Sequence, residues 1–372
     1  MSFLVKGIFS GIFSICLMFV GLQSFAAGGL SRDGQDVSFM YDEGDFVSVS
    51  LRSVTPSVTG TSYNATVTGP ATISESVGEE FSTYNVNYRQ QAGDKTAIGF
   101  QIRTPIGADL LYGAGSLLSG TSVDYNSTAV SILGSYNQTP KLRLIGGFTS
   151  QSQDAEVAIP FAGYTATASK ASGTGFIAGA AYSIPEIAFK VSGTYFSEIA
   201  TSHPTVENGN PSLPTAIEAP VGFNVNIQSG IMENTIAFAS MVTQNWDTFA
   251  ISPYGYSLAN GGEALYDPES VTTYSFGVGR KFSDNIAGSI SYTSKAETDG
   301  TASALAPTDG YQDISLGVRY SLENVDIGVG TTFRTYTNDV TTTQLLPGTE
   351  LPVASFTDNS LTGMGISLTY KY

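Results

Sequence analysis

The chain has 372 residues, with 32 Asp and Glu against 16 Lys and Arg, 41 Gly, one Cys and one His. A formal charge of −16 without a Lys/Arg patch argues against a nucleic-acid partner, and Cys16 and His203 alone can form neither a zinc cluster nor a disulfide. Only 13% of residues are charged, yet there are 20 Tyr and 21 Phe. That balance points to extensive β-structure rather than to an acidic disordered chain.

Residues 1–26 read as a secretory leader: Lys6, an apolar run from Ile8 to Leu22, then Ser24-Phe25-Ala26 as a small-x-small cleavage site. Cleavage after Ala26 leaves 32 acidic against 15 basic side chains and no Cys. Ile15 before Cys16, and an apolar run that continues past it, argue against a lipoprotein. Beyond the leader no apolar stretch reaches the ~18 residues of a membrane helix. An exported chain of this kind is either soluble or enters a membrane as a closed barrel.

Strands are expected near 45–55, 81–91, 95–104, 123–137, 140–153, 173–183, 186–198, 220–230, 234–249, 271–282, 285–296, 311–321, 324–337 and 359–372, fourteen in all. The last shows the pattern best: Met364, Ile366, Leu368, Tyr370 and Tyr372 alternate with Gly365, Ser367, Thr369 and Lys371, which gives one apolar and one polar face. Connections alternate between six tight turns and seven long loops, near 56–80, 105–122, 154–172, 199–219, 250–270, 297–310 and 338–358. The fold class expected is all-β: a transmembrane antiparallel β-barrel of about 14 strands.

Two features favour a membrane barrel over a soluble sandwich. Tyr88, Tyr136, Tyr182, Phe282, Tyr320 and Tyr372 fall near the short-turn ends, as an interfacial girdle requires, with Tyr195, Trp246, Tyr292 and Tyr336 as candidates for the upper girdle. The other strand face carries Asn224, Asn226, Gln228, Lys281, Arg319 and Arg334, and a ring of fourteen strands is too wide for side chains to fill. The terminal aromatic Tyr372 resembles the signal by which bacterial outer-membrane barrels are recognised by their assembly machinery.

Ser31-Arg32-Asp33-Gly34, Val37 to Tyr41, Pro56 to Thr61, Ile102-Arg103-Thr104-Pro105-Ile106-Gly107, Gly175 to Tyr182, Trp246 to Phe249, Tyr274 to Asp284 and Pro307 to Tyr320 together resemble the FadL/TodX-type family of outer-membrane long-chain fatty-acid and hydrophobic-compound transporters. The resemblance spans essentially the whole mature chain. It implies capture of a hydrophobic ligand at the extracellular loops, a lumenal pocket, an N-terminal plug over 27–44 that includes Arg32, Asp33 and Gly34, a barrel over 45–372, and lateral exit where the third strand kinks. Pro105 and Gly107 align with that kink; Pro lacks a ladder donor and Gly weakens a strand. The alternative is that the strand simply ends there on entering its loop. The plug is shorter than the family's, Asp33-Gly34-Gln35 replaces Asn-Pro-Ala, and the position of the family's late fifth-strand basic residue falls at Asp154.

Arg103, Lys190, Arg319 and Arg334, on polar faces, are candidates to meet a ligand head group, or simply to balance lumenal acids. Arg32 is placed to dock the plug on a wall carboxylate. Ile159, Phe161 and Tyr164 are candidates for a greasy capture surface, or pack their loop down. Acidic loops around Glu75, Glu79, Glu80, Glu263, Asp267 and Glu269 offer sites for cations bridging to lipopolysaccharide, or are solvated surface. No Gly-x-Ser-x-Gly elbow or dinucleotide fingerprint is present, so neither an enzyme nor a cofactor is expected. The leading function is passive transport of a hydrophobic small molecule; a general diffusion pore and a surface adhesion barrel are the alternatives.

Overall fold

The computed structural model describes residues 30–32, 35–63, 70–297, 301–337, 340–342 and 353–372. The expected leader and its cleavage site lie outside these, as do Asp33 and Gly34 of the expected plug. Fourteen antiparallel strands close a barrel: β1 (Phe46–Ser57), β2 (Phe81–Gln91), β3 (Thr96–Arg103 and, after a break, Gly107–Leu111), β4 (Ser122–Asn137), β5 (Leu142–Ile159), β6 (Tyr164–Ile184), β7 (Phe189–Phe196), β8 (Val221–Met232), β9 (Thr235–Asn245), β10 (Val271–Lys281), β11 (Ile286–Lys295), β12 (Tyr311–Ser321), β13 (Val325–Tyr336) and β14 (Ser360–Lys371). β14 pairs with β1 from Phe46↔Lys371 to Ser57↔Ser360 without a register shift. The ring is thereby complete, with no open edge.

Period-two alternation decides which way each side chain points. Leu51, Ile132, Phe148, Phe276, Ile290, Val318, Val329 and Ile366 are exposed on the outer wall, while Gln101, Ser131, Thr149, Ser275, Thr293, Ser315 and Thr332 are buried inside. The inner hydroxyls pair across strands: Ser131 Oγ donates to Thr149 Oγ1 at 3.0 Å, and Ser275/Thr293 and Ser315/Thr332 lie 2.7 and 2.8 Å apart. Facing water, each outward Leu, Ile or Phe would forgo about 1.5–3 kcal/mol of burial. Such a surface is suited to hydrocarbon.

At the short-turn end Tyr136, Tyr182, Phe282, Tyr320 and Tyr372 are exposed outward and Tyr88 is half-buried. The upper girdle needs correction. Tyr195 is exposed and Tyr292 half-buried, but Trp246 and Tyr336 are buried. Trp246 packs edge-on against Phe249 at 4.9 Å in the loop core, and Tyr336 faces the Arg334 guanidinium at 5.7 Å.

A second correction concerns 154–172. These residues are not a loop: β5 and β6 continue upward as a hairpin to a turn at Pro160–Ala162, with Gly163 in the left-handed region at φ 61°. A register shift between Gln153 and Ala155 places an extra residue in β6, which reverses the faces that β6 presents above it. The segment 199–219 folds over the barrel mouth, as a hairpin of Ile199–His203 with Thr215–Ala219 and a short strand, Thr205–Glu207, added to β6. The segment 250–270 contributes one short helix, α1 (Tyr254–Ala259).

Residues 35–45 run inside the lower barrel. A 3-10 turn, Ser38–Tyr41, is wholly buried, and Val37, Phe39, Met40 and Tyr41 pack against Leu133, Ile145, Ile177 and Phe196 of the wall. Gly99 makes room for it, since a Cβ there would lie 2.1 Å from Met40 Sδ.

Candidate functional site

The wall is interrupted in β3. Its lower segment pairs with β2 only as far as Asn85↔Arg103, and contact resumes above at the bridge Gly78↔Leu110. Between these, Thr104 N–H still donates to Tyr84 O at 3.3 Å, and Pro105 and Ile106 leave the ladder. The upper segment still pairs with β4, from Gly107↔Asn126 to Leu111↔Ser122. The strand therefore continues past Pro105 and Gly107 as wall and does not end in a loop. The physical cause is local, because Pro105 has no N–H to donate.

The N-terminal segment closes this window from within. Gly107 N–H donates to Leu30 O at 2.8 Å, Arg32 N–H donates to Pro105 O at 2.9 Å, and Ser31 bridges to Ile106. Arg32 then spans the gap: its guanidinium pairs with Asp109 on the upper segment and lies 3.4 Å over the ring of Phe81 on β2. A Cβ on Gly107 would come within 2.9 Å of both Arg32 Nε and Tyr125 O, so only glycine leaves this seat open.

Below the window the plug is held by polar contacts. Tyr41 Oη donates to Gly193 O at 3.1 Å, Gln35 Nε2 donates to Pro220 O at 2.9 Å, Gln101 Nε2 donates to Asp36 O at 2.9 Å, and Lys190 Nζ meets Asp42 Oδ1 at 3.2 Å. Arg89 and Arg143 donate to the carbonyls of Gly44 and Asp42. A polar slot remains between the plug and β1, β2 and β14, lined by Asp36, Asn85, Asn87, Asp326 and Lys371 among others.

Above the plug lies an apolar cavity of about 50 Å³. Leu30 forms part of its floor, Val123, Tyr125, Val157 and Ala166 part of its walls, and Leu265 and Tyr266 part of its cover. Leu30 and Ala108 place it directly behind the window. A loop core of Trp246, Phe249, Tyr266, Ile199 and Ile217 adjoins it.

The four expected head-group cations are dispersed and do not converge. Lys190 holds the plug through Asp42. Arg319 and Lys371 reach Asp326 at 3.6 and 2.6 Å. Arg334 makes two 2.7 Å bonds to Asp313 and stacks 3.4 Å over Tyr311. Arg103 is buried at the lower rim of the window and bears electrostatically on Asp36. None of the four lines the apolar cavity.

Of the expected capture surface, only Phe161 is exposed; Ile159 and Tyr164 are buried. Tyr164 is part of a clasp, since its hydroxyl donates to Glu207 at 2.8 Å while Ser212 Oγ and the N–H groups of Gly255 and Tyr256 donate to the same carboxylate at 2.5, 2.7 and 2.9 Å. Burial pushes the Glu207 carboxyl up, but the donated bonds outweigh it and hold it below its ordinary value. The clasp fastens α1 over the cavity.

Asp109, Phe81, Tyr125 and Glu207 were not identifiable from sequence. Asp109 stands two residues beyond Gly107, yet nothing marks an acid at that spacing as the partner of a residue 77 positions away. Among the described residues no group of three or more His, Cys, Asp or Glu is placed to hold a metal ion.

No protein-family model and no curated protein matches the sequence. Solved structures do. A FadL homologue from Pseudomonas aeruginosa aligns with TM-score 0.70 at 12% identity, over 93% of this chain and 96% of its own. The Pseudomonas putida toluene transporter TodX aligns with TM-score 0.62 at 14% identity, over 95% and 98%. The Ralstonia pickettii toluene transporter TbuX aligns with TM-score 0.60 at 14% identity, over 95% and 98%. At these identities the likeness establishes a shared FadL/TodX-type barrel fold.

Proposed function

We propose that this chain is a passive outer-membrane channel for hydrophobic small molecules, which reach the apolar cavity through the extracellular loops and leave sideways through the window in β3. One observation carries the reading: the wall is broken beside the apolar cavity, and the plug residues Leu30 to Arg32 bond across the break from within. A hydrophobe continuing straight down would have to pass the plug and the polar slot and shed its apolar surroundings for water. Lateral exit keeps it in an apolar medium throughout. Pro105 and Gly107 supply the gap, Arg32 bolts it, and the exposed outer wall seats the barrel in lipid. The leader ending near Ala26 would direct export, and the strand ending in Tyr372 would present the assembly signal. That solved relatives of this fold are described as toluene transporters accords with this reading.

The test is to lock the plug to the window. Ser31 and Ile106 are bridged antiparallel partners, and such pairs bring Cα atoms within ~4.5–5.5 Å, inside the span of a disulfide. In a Ser31→Cys/Ile106→Cys variant carrying Cys16→Ser, uptake of a hydrophobic tracer should cease on oxidation and return on reduction. Equal uptake in both redox states would overturn lateral release. A diffusion pore for polar solutes has the slot in its favour; a large, steady, ligand-independent conductance in planar bilayers would establish that reading instead.

A further inference from the structure

We infer that the apolar cavity behind the window receives a compact, uncharged hydrophobic molecule and rejects carboxylates, long-chain fatty acids included. This rests on the transport reading above and narrows its substrate class.

The walls offer no partner for an anion. Among the described residues neither Lys, Arg nor His lines the cavity, and the one carboxylate that does, Glu156, stands exposed at its rim. The hydroxyls nearest the space are occupied. Tyr125 Oη donates away from the cavity to Gln153 Oε1 at 2.8 Å, and Thr205 Oγ1 bonds Thr215 Oγ1 at 2.8 Å. The lumenal cations that might have served are engaged elsewhere: Arg32 with Asp109, Lys295 with Asp309, and Arg334 with Asp313. A carboxylate here would be desolvated, unpaired and beside a like charge, the combination that most disfavours an ionised group. The volume of about 50 Å³ is several times the ~10–15 Å³ that one water requires. The space is small beside the ~150 Å³ of a cavity that takes benzene, so it favours compact molecules over a long acyl chain.

The chain carries its own reporter. Trp246 is its single tryptophan, and it is buried in one cluster with the cavity residues Leu30, Tyr125 and Tyr266. Its fluorescence, in the complete mature barrel in detergent, can be titrated with toluene, benzoate and laurate. Toluene should perturb it saturably, and both acids should need at least about a hundredfold more, equivalent to ~2.8 kcal/mol at 1.4 kcal/mol per tenfold. Filling the cavity with Ala166→Phe should abolish the toluene response. Glu156→Lys, at the exposed rim, should bring benzoate within about tenfold of toluene. Either acid binding the wild-type barrel within tenfold of toluene, a toluene response that survives Ala166→Phe, or no saturable toluene response would overturn the inference. Failure of the transport reading looks different: toluene would perturb Trp246 as expected, yet uptake would ignore the Ser31→Cys/Ile106→Cys lock. Acid binding together with lock-sensitive uptake would leave transport standing and remove only the substrate class.

Discussion

Replacing Arg32 by Met removes the bolt while keeping an apolar stem of similar reach. The wild-type guanidinium makes a charge-assisted bond to Asp109, with the two side chains 4% and 30% exposed, and lies face-on to Phe81 at 3.4 Å. A hydrogen bond to a charged group contributes ~1.5–3 kcal/mol and a partly desolvated cation–π contact ~0.5–2 kcal/mol. Some of this overlaps, so about 2–4 kcal/mol favours the seated plug. At 1.4 kcal/mol per tenfold, the unseated population should rise by roughly 30- to 1,000-fold. The backbone bonds of Leu30 and Arg32 to Gly107 and Pro105 remain, so the barrel and most of the plug should stay folded. Uptake of labelled toluene by proteoliposomes reads the effect. Asp109→Asn should raise it less, because the amide oxygen still accepts and Phe81 is still covered, and Arg32→Lys should fall between. Uptake by Arg32→Met within twofold of wild type, with the barrel intact, would refute the bolt.

Three further outcomes follow from the same geometry. Sequence alone suggests that a β-branched residue at Gly107 repairs the wall and slows uptake. The structure reverses the sign: its Cβ would meet the Tyr125 carbonyl, which cannot move, and the Arg32 side chain, which can, so Gly107→Val should unseat Arg32 and raise uptake in the same assay. Arg334→Met strands Asp313, 2% exposed, without its partner, and should cost about 3–5 kcal/mol in denaturant unfolding; Arg334→Met/Asp313→Leu should recover most of it. Glu207, held below its ordinary carboxyl value of 4.5, contributes stability to the loop clasp that is complete above that value and drains away as pH falls through the lowered one. Hydrogen exchange at the Gly255 and Tyr256 amides, corrected for its intrinsic pH dependence, should therefore accelerate on acidification in the wild type and be fast at all pH values in Glu207→Ala.

The barrel was legible because a membrane wall imposes period two on every strand, and because the tight turns are short enough to leave one register. Residues 154–172 were misread for the same reason. Above the bilayer Thr165, Ala166, Thr167 and Ala168 need no apolar face, and their pairing with Ala155 to Ala158 rests on backbone bonds that composition does not advertise. Trp246 and Tyr336 were misplaced because an aromatic near a strand end suits a girdle or an interior equally well, and only the strand's phase and the loops above it decide. The window was half legible: Pro105 and Gly107 announce a fault in the ladder, but Phe81, Asp109 and Tyr125 meet there only after β2, β3 and β4 are aligned. The apolar cavity was illegible, since its lining is drawn from the N-terminal segment, four strands and several loops.

The attachments of the plug are unevenly distributed around the wall. Its polar attachments fall on β2, β3, β5, β7, the residue just before β8 and, where Asn224 Nδ2 donates to Gln35 O, β8 itself, with sequence separations of 77 between Arg32 and Asp109, 152 between Tyr41 and Gly193, and 185 between Gln35 and Pro220. Contacts this remote wait on closure of long chain segments, a slow and entropically costly event. Residues 35–45 thus acquire their described set of partners only once the eighth strand is in place. A barrel that stalls short of β8 can still close its window through β2 and β3, but its plug lacks the anchors at Pro220 and Asn224.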